Sequence, residues 1–461
     1  MTKNTQDIAE LSKKTETYGS PSLAGIFKKA LSLVGGRVGG NLLTLGYTLL
    51  LARIATPMEF GLVMTGFAWA MLLSIGLALN VESGSIKYLV QYHKTDRSGL
   101  AAGFIRFNRT TIVVLSGVSA LLMGGAWWFG LLDQSGQTTQ VLVLAIVAAP
   151  VVALTRVYGR HATALGQVLR GGLPIMLVRP AVICALLTAV WLSGRTPGPT
   201  LLMLLMLVAF VMTALVQAFL LRKTFAFTRS AAPDYGEAGK WLYTGAMMAP
   251  LLVLRDNLKH IVVVSAGLVL NPAEVGYVAL AMSVMSLIYF SMKAIDISLS
   301  PQLSHALQNH SFERVTQLIK NSAKLKLGAL VLGVAIVTLL GKWGLSLFGA
   351  AYTAAFYPLL ILMLVPAADA LFGPAQVVLN VTGRQFAVFW VAGISSVVLV
   401  GAIVLGGWLY GASGAVLGAG LSYMLQQALL RQVSAQDAKV ETSVKTLLGT
   451  KKTKNAQKDQ P

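Results

Sequence analysis

Long apolar segments recur along almost the whole sequence and constrain its fold more than any other feature. A helix needs roughly 20 apolar residues to cross the hydrocarbon core of a membrane. Twelve windows of about that length lie near 31–52, 60–80, 110–132, 139–156, 173–193, 199–221, 241–268, 275–297, 326–347, 353–374, 386–408 and 411–430. Only 12% of the 461 residues are charged, about half the share in soluble domains. The sequence therefore predicts an all-α integral membrane protein with about 12 transmembrane helices, and it excludes cytosolic enzymes and secreted domains.

The distribution of basic residues predicts how these helices are oriented. Short loops on the cytoplasmic side of a membrane carry an excess of Lys and Arg. With a cytoplasmic N-terminus, the external loops and the adjoining window ends hold only Arg53, Arg195 and Lys342. The net charge of +20 is thus scattered between apolar segments and does not form the contiguous basic face that nucleic acid requires. We expect both termini to be cytoplasmic, and no nucleic-acid partner.

The polar segments between the windows predict five regions. They are a cytoplasmic N-terminal segment (1–29), a first six-helix half (30–221), a cytoplasmic linker (222–240), a second six-helix half (241–430) and a basic cytoplasmic tail (431–461). The composition of the tail predicts disorder and attraction to anionic lipid. Segments 81–109 and 298–325 mix apolar and basic positions at intervals that favour helices lying in the membrane interface.

A short internal repeat indicates that the two halves are related. Residues 57–61 read PMEFG and residues 272–276 read PAEVG, each at the same external position of its half. Six helices is an even number, so the second half enters the membrane in the same sense as the first and the halves are parallel. Parallel halves are typical of transporters that bind substrate between them and open alternately to each side. We interpret Glu59 and Glu274 within the repeat as helix caps or loop contacts.

A few charged residues lie inside the apolar windows, where a charge costs roughly 2.5–3.5 kcal/mol at the bilayer centre. Arg37 and Arg179 lie near the cytoplasmic ends of their windows, so each either faces an internal chamber or extends to the membrane surface. Arg255 lies roughly 21 Å into the seventh window, which is too deep for such extension. These residues therefore need protein, water or a partner around them.

The seventh window carries the densest polar group. Arg255 and Lys259 share one helix face, and Asp256 and His260 share the neighbouring one. The group is either an ion-pair network that holds helices together or part of an aqueous cavity with surplus positive charge. Surplus positive charge favours an anionic substrate, because a phosphate or carboxylate offsets the cost of the buried cations. The predicted substrate-binding residues are Arg37, Arg179, Arg255 and Lys259.

Asp369 in the tenth window lies between Pro366 and Pro374, which predicts a break in that helix. Its carboxyl group could titrate during transport, or it could pair with one of the arginines. Asp256, His260 and Asp369 are the candidates for coupling transport to an ion. Metal-ligand spacings, phosphate-binding glycine loops and catalytic triads are missing from the sequence, so we predict no metal, no cofactor and no enzyme activity.

Three stretches carry a resemblance to a known family. Residues 49–80, LLLARIATPMEFGLVMTGFAWAMLLSIGLALN, resemble the first helical hairpin of the polysaccharide transporter family. This family comprises the oligosaccharide-lipid flippases of the multidrug/oligosaccharidyl-lipid/polysaccharide exporter superfamily. The form PAEVGY at 272–277 resembles its second half, and ALGQ at 164–167 is similar to its motif after the fourth helix.

The resemblance implies a multi-pass protein of the bacterial inner membrane that moves undecaprenyl-diphosphate-linked oligosaccharide to the outer face. Such translocation precedes the polymerisation and export of exopolysaccharide, capsule or O-antigen. The implied partners are the polyprenyl-diphosphate-linked glycan, membrane lipids, and the polysaccharide polymerase and export machinery. The family's basic inner chamber would correspond here to Arg37, Arg179, Arg255 and Lys259.

Three other functions remain open from the sequence. One is a proton- or sodium-coupled exporter of small amphiphilic molecules, with Asp256 or Asp369 as the coupling carboxylate. Another is a membrane-embedded polymerase or ligase, which would need a large external loop, whereas the external loops here are short. The last is a structural scaffold, which would give no reason for charges at mid-membrane depth.

Overall fold

The computed structural model describes residues 23–130, 136–194, 196–228, 230–309 and 311–448, with all side chains except those of 23–34, 250–256 and 448. Every regular element in these ranges is a helix or a helical turn. Nine of the described helices are long and apolar enough to cross a membrane. The chain is therefore an all-α, multi-pass membrane protein, as the sequence predicts.

The helices follow the predicted windows along the chain. The first half contains α1 (Leu23–Ile54), α2 (Pro57–Leu77), α3 (Ser85–Lys94), α4 (Ser98–Trp128), α5 (Gln137–Ala164), α6 (Val168–Leu192) and α7 (Pro199–Leu221). The second half contains α8 (Ala238–Ala266), α9 (Pro272–Gln308), α10 (Phe312–Ser346), α11 (Ala350–Phe372), α12 (Ala375–Val381) and α13 (Gln385–Asp437). Each of the twelve windows overlaps one of these helices, and the last two share α13.

Helix α13 is long because it contains two segments joined by a kink. The backbone leaves helical geometry at Tyr410 (φ −135°, ψ 21°) and at Gly411 (φ 60°, ψ −148°). Gly411 adopts the left-handed region that glycine tolerates best. The kink falls between the windows 386–408 and 411–430, so the sequence placed this boundary correctly.

The two glutamates of the internal repeat lie in the first turns of α2 and α9, where they interact with the N-cap residues Thr56 and Asn271. The N–H of Thr56 donates to the carboxylate of Glu59 at 2.8 Å, and Glu59 N–H donates back to Thr56 Oγ1 at 3.3 Å. In the second half, Asn271 Nδ2 donates to Glu274 at 2.8 Å, and Glu274 N–H donates to Asn271 Oδ1 at 3.0 Å. The Glu59 carboxylate thus satisfies a free backbone N–H at the helix start, whereas the Glu274 carboxylate accepts from a side-chain amide. Both contacts agree with their interpretation as helix caps or loop contacts.

The expectation of helices lying in the membrane interface is only partly correct. Helix α3 is a separate short element, but residues 98–109 continue into α4 without a break. Residues 298–325 are divided between the end of α9 and the start of α10. Their apolar positions, among them Leu303 and Ile319, are buried against each other. The apolar face that the sequence indicates is present, but it is covered by protein and not by lipid.

The start of α8 is attached to the first half through an aromatic cluster. Trp241 is fully buried, and its Nε1 donates to Tyr92 Oη on α3 at 3.0 Å. Tyr92 in turn donates to the carboxylate of Glu237. The Trp241 ring also makes an edge contact with Phe104 of α4, with centroids 5.3 Å apart. The end of the predicted linker is thus fixed to the first half.

The tail that was expected to be disordered from Arg431 is folded through its described part. Helix α13 continues to Asp437, and residues 438–448, here called the strap, pack against the end of α11. Thr442 Oγ1 donates to the carbonyl oxygen of Phe372 at 2.8 Å, and Arg431 Nε donates to Glu441 Oε1 at 2.8 Å. These contacts, with the buried side chain of Val440, outweigh the polar composition. Residues 1–22 and 449–461 lie outside the described residues.

The ion pair of the strap holds over a wide pH range. Burial raises the pKa of the Glu441 carboxyl, but the hydrogen bonds from Arg431 and Ser443 outweigh this and lower the pKa to about 2. A folded-state pKa below the unfolded value stabilises the fold above the unfolded value. The contribution is therefore lost only as the pH falls toward about 2.

The strap should loosen when this pair is removed. We expect Glu441→Gln to raise the rate of tryptic cleavage after Lys439 and Lys445 by about threefold to fivefold, as expected for loss of a partly exposed ion pair. Glu237→Gln is the matched control, because it removes a carboxylate that lies outside the strap and contacts Tyr92 of the first half. Equal cleavage rates in the two variants would show that the pair does not hold the strap.

Candidate functional site

The two halves meet at the predicted external side through the glycines of the internal repeat. A Cβ atom on Gly61 of α2 would overlap the carbonyl oxygen of Pro272, and one on Gly276 of α9 would lie 2.7 Å from the carbonyl oxygen of Pro57. The two helices therefore touch through their backbones, as small residues allow. This pairing of equivalent positions supports the internal repeat.

Aromatic residues extend this external contact. Tyr352, buried at the start of α11, donates its hydroxyl to the carbonyl oxygen of Ala55 at 3.2 Å. The Tyr352 ring also makes an edge contact with Phe60, with centroids 5.5 Å apart. The halves are thus closed against each other at this end.

Burial along α9 shows where the halves separate. All residues from Val278 to Ser283 are buried, whereas none from Ser286 to Ser291 is. The first stretch is nearer the external end, which packs on α2. The molecule is therefore closed at the predicted external end and opens toward the predicted cytoplasmic end.

Helix α8 bends where its polar residues are located. Asn257 has non-helical dihedrals (φ −130°, ψ 16°) and divides the helix into two segments. Just after this bend, Lys259 Nζ donates to Ser283 Oγ on α9 at 2.8 Å. The ring of His260 lies 5.8 Å from that of Phe67 on α2. Lys259 and His260 are therefore located where α8 lies between the two halves.

Arg179 reaches the same region from α6. It follows a π-helical turn, Pro174–Val178, a distortion that is frequent at functional sites. Its Nη1 lies 4.0 Å from Met71 Sδ on α2. Arg179 and Lys259 both interact electrostatically with His260. We call Arg179, Lys259 and His260 the basic cluster.

The basic cluster contains more positive charge than its described surroundings balance. Within the described side chains, neither Arg179 nor Lys259 forms an ion pair with a carboxylate. Two predicted members, Arg255 and Asp256, have side chains outside the described ones. Arg37 is exposed on α1, and no hydrogen bond or ion pair joins it to the described part of the cluster. The structure thus brings together two of the four predicted substrate-binding residues.

Asp369 belongs to a separate cluster inside the second half. Lys293 Nζ on α9 lies 3.1 Å from Asp369 Oδ2. Tyr423 Oη and Gln427 Nε2 on α13 donate to Asp369 Oδ1 at 3.1 Å and 2.5 Å. Of the two alternatives that the sequence leaves open for Asp369, pairing with one of the arginines is therefore wrong, because the partner is a lysine. The helix break was predicted correctly, since α11 ends at Phe372 and Gly373 has a φ of 71°.

Sequence reasoning missed several other buried ion pairs. Lys293 falls inside the window 275–297, but its position along the sequence did not indicate Asp369 as its partner. Three residues further along α9, Asp296 pairs with Lys326 of α10 at 2.6 Å, and Lys326 is almost completely buried. In the first half, Glu82 pairs with Arg156 at 2.6 Å. The sequence feature that could have indicated these ion pairs is a charged residue within or at the edge of an apolar window.

Comparisons with solved structures place this architecture among known transporters. An inward-facing multidrug resistance MATE family transporter of the MOP superfamily matches with a TM-score of 0.68 and 14% identity, over 92% of this chain and 96% of that one. The lipid II flippase MurJ in an inward closed conformation matches with a TM-score of 0.67 and 12% identity, over 91% and 88%. An outward-facing MATE family transporter of the MOP superfamily matches with a TM-score of 0.56 and 14% identity, over 88% and 94%.

The chain shares the fold of these solved structures. At these identities the likeness shows the fold alone. No protein-family model and no curated protein matches the sequence.

The ion pair between Lys293 and Asp369 should stabilise the second half. We expect Lys293→Met to lower the free energy of unfolding by about 2–3 kcal/mol, since it leaves a buried carboxylate unpaired. This is less than for a fully buried pair, because the Lys293 side chain is 34% exposed. The double variant Lys293→Met/Asp369→Asn should recover most of the loss in thermal unfolding in detergent. Additive losses from the two substitutions would contradict a direct pair.

The glycine contact should control closure of the external end. We expect Gly61→Val to lower the population of the closed state about tenfold, because the side chain overlaps backbone that cannot rotate away. The measurement is the distance between spin labels at Met58→Cys and Leu268→Cys, both exposed near that end, in a Cys184→Ala background.

Gly76→Val on the same helix is the matched control, because a Cβ there would have nothing within 4 Å. An unchanged distance distribution in Gly61→Val would refute the glycine contact as the element that closes this end.

Proposed function

We propose that this protein is a flippase that moves undecaprenyl-diphosphate-linked oligosaccharide across the bacterial inner membrane by alternating access. It would act in the biosynthesis of exopolysaccharide, capsule or O-antigen. The observation that carries the proposal is the basic cluster, in which Lys259 lies between the halves and Arg179 interacts with its neighbour His260. Neither cation has a carboxylate partner among the described side chains. A diphosphate is the kind of group that such a site recognises.

The position of the cluster fits a lipid-linked substrate. The halves are closed at one end by the glycine contact, so a head group at Lys259 would be accessible from the opposite, predicted cytoplasmic end. In this proposal the polyprenyl tail stays in the bilayer at the gap between the halves. Rocking of the halves about the cluster would then release the head group on the outer face.

The solved structures support transport of this general kind. One neighbour in fold is described as a flippase of lipid II and others as multidrug transporters. The resemblance of residues 49–80 to the polysaccharide transporter family favours an oligosaccharide-lipid over either substrate. Partners in polymerisation and export belong to this proposal as well.

A translocation assay tests the proposal directly. Proteoliposomes carry an undecaprenyl-diphosphate-linked oligosaccharide, and an added external glycosidase reports glycan that began on the inner leaflet. We expect Arg179→Gln and Lys259→Gln each to slow exposure about tenfold or more, because each removes a charge-assisted contact to phosphate.

Lys240→Gln is the matched control for Lys259→Gln. It lies on the same helix, is highly exposed and pairs with Glu237. We expect it to leave the rate unchanged. Translocation by Lys259→Gln at the control rate would remove the basic cluster from the mechanism. Arg255→Ala extends the test to the neighbouring position on α8.

A second candidate is a proton- or sodium-coupled exporter of small amphiphilic molecules. The buried carboxylate of Asp369 favours it, since a carboxylate within a hydrogen-bonded network can exchange an ion. In that case, ion-driven efflux of a small amphiphile from proteoliposomes would require Asp369 or Asp256, and Asp369→Asn or Asp256→Asn would abolish it. The flippase proposal expects no such efflux from the wild-type protein.

A further inference from the structure

A pocket of about 680 Å³ lies in the first half, away from the basic cluster. It is formed by α4, α5, α7 and the segment after α7, and none of its lining residues comes from the second half. The size falls within the range of roughly 300–1,000 Å³ that is typical of small-molecule sites. The pocket therefore needs an explanation of its own, whatever the protein transports.

The charged residues of this pocket are all basic. Arg106 and Arg109 lie on α4, and Arg222 follows α7. Because Arg106 and Arg109 are three residues apart, their side chains share one face of the helix. Both are exposed, and no ion pair joins either of them to a described carboxylate. Arg222 already stacks on Phe219, with its guanidinium carbon 4.4 Å from the ring centroid.

The rest of the lining is mostly apolar and continues onto a lipid-facing surface. Leu215 on α7 lines the pocket and is 62% exposed. The neighbouring Phe219 on the same helix is also largely exposed, as are Val113 and Val114 on α4. An occupant would therefore touch arginines at one end and hydrocarbon at the other.

We propose that this pocket binds an anionic phospholipid of the cytoplasmic leaflet, with its phosphate at Arg106 and Arg109 and its acyl chains along α7. Guanidinium groups bind phosphate through paired hydrogen bonds. Basic pockets between transmembrane helices on the cytoplasmic side are known to take anionic head groups. The assignment is independent of the flippase proposal, because the pocket does not involve the interface between the halves.

Native mass spectrometry of the full-length protein in detergent tests this assignment. The protein is titrated separately with phosphatidylglycerol and with phosphatidylcholine of the same acyl chains. We expect wild-type protein to bind phosphatidylglycerol about tenfold more tightly, since charge-assisted hydrogen bonds to phosphate are at stake. Arg106→Gln/Arg109→Gln should lose this preference.

The second half provides a matched control. Lys324 lies 215 residues after Arg109, the same offset that separates Pro57 from Pro272 in the internal repeat. The variant Arg314→Gln/Lys324→Gln removes the same charge from exposed positions. It should keep the preference for phosphatidylglycerol. Equal binding of the two lipids by wild-type protein, or an unchanged preference in Arg106→Gln/Arg109→Gln, would overturn the assignment.

Two further measurements keep the test decisive. Leu215→Trp fills the apolar part of the pocket from an exposed position without changing charge, and it should weaken phosphatidylglycerol binding even if the double arginine variant unfolds. Undecaprenyl diphosphate added at equal concentration should not displace phosphatidylglycerol. Displacement would instead assign the pocket to the diphosphate lipid and overturn the phospholipid assignment.

Discussion

The backbone contact between α2 and α9 determines how the two halves are arranged. Gly61 and Gly276 occupy equivalent positions in the internal repeat, and each approaches a carbonyl oxygen of the opposite half closely. Larger side chains would hold the helices apart. Closure at one end, with the stretch of α9 from Ser286 to Ser291 no longer buried, leaves the interior accessible from the other end. A duplicated structure closed at a single end is what alternating access requires.

The cost of burying charge explains why the polar residues form two kinds of cluster. In the second half, Asp369 is bonded by Lys293 and by two polar side chains of α13, so its charge is compensated within the protein. Between the halves, Arg179 and Lys259 contact a thioether and a hydroxyl group, which do not neutralise them. Among the described side chains neither cation pairs with a carboxylate, and partly buried cations without a counter-charge are unfavourable. An anionic ligand would supply that charge.

Much of the fold could be predicted because a membrane imposes simple rules on sequence. The apolar windows located the helices, the repeated glutamates were identified as caps, and the prolines beside Asp369 indicated the break in α11. The partner of Asp369 was not predictable, because pairing with Lys293 depends on how α9 and α11 rotate against each other. The same limit applies to segment 298–325, whose apolar face could be covered either by lipid or by protein. The repeat showed that Gly61 and Gly276 are equivalent, but only the structure shows that they meet.

The central claim is that the basic cluster recognises a diphosphate, and equilibrium binding tests it most directly. The affinity of the protein in detergent is measured for undecaprenyl diphosphate and for undecaprenol, which has the same tail without charge. We expect the diphosphate to bind at least about tenfold more tightly, and Arg179→Gln/Lys259→Gln to abolish the difference. Equal affinity for the two lipids in the wild-type protein would contradict the account.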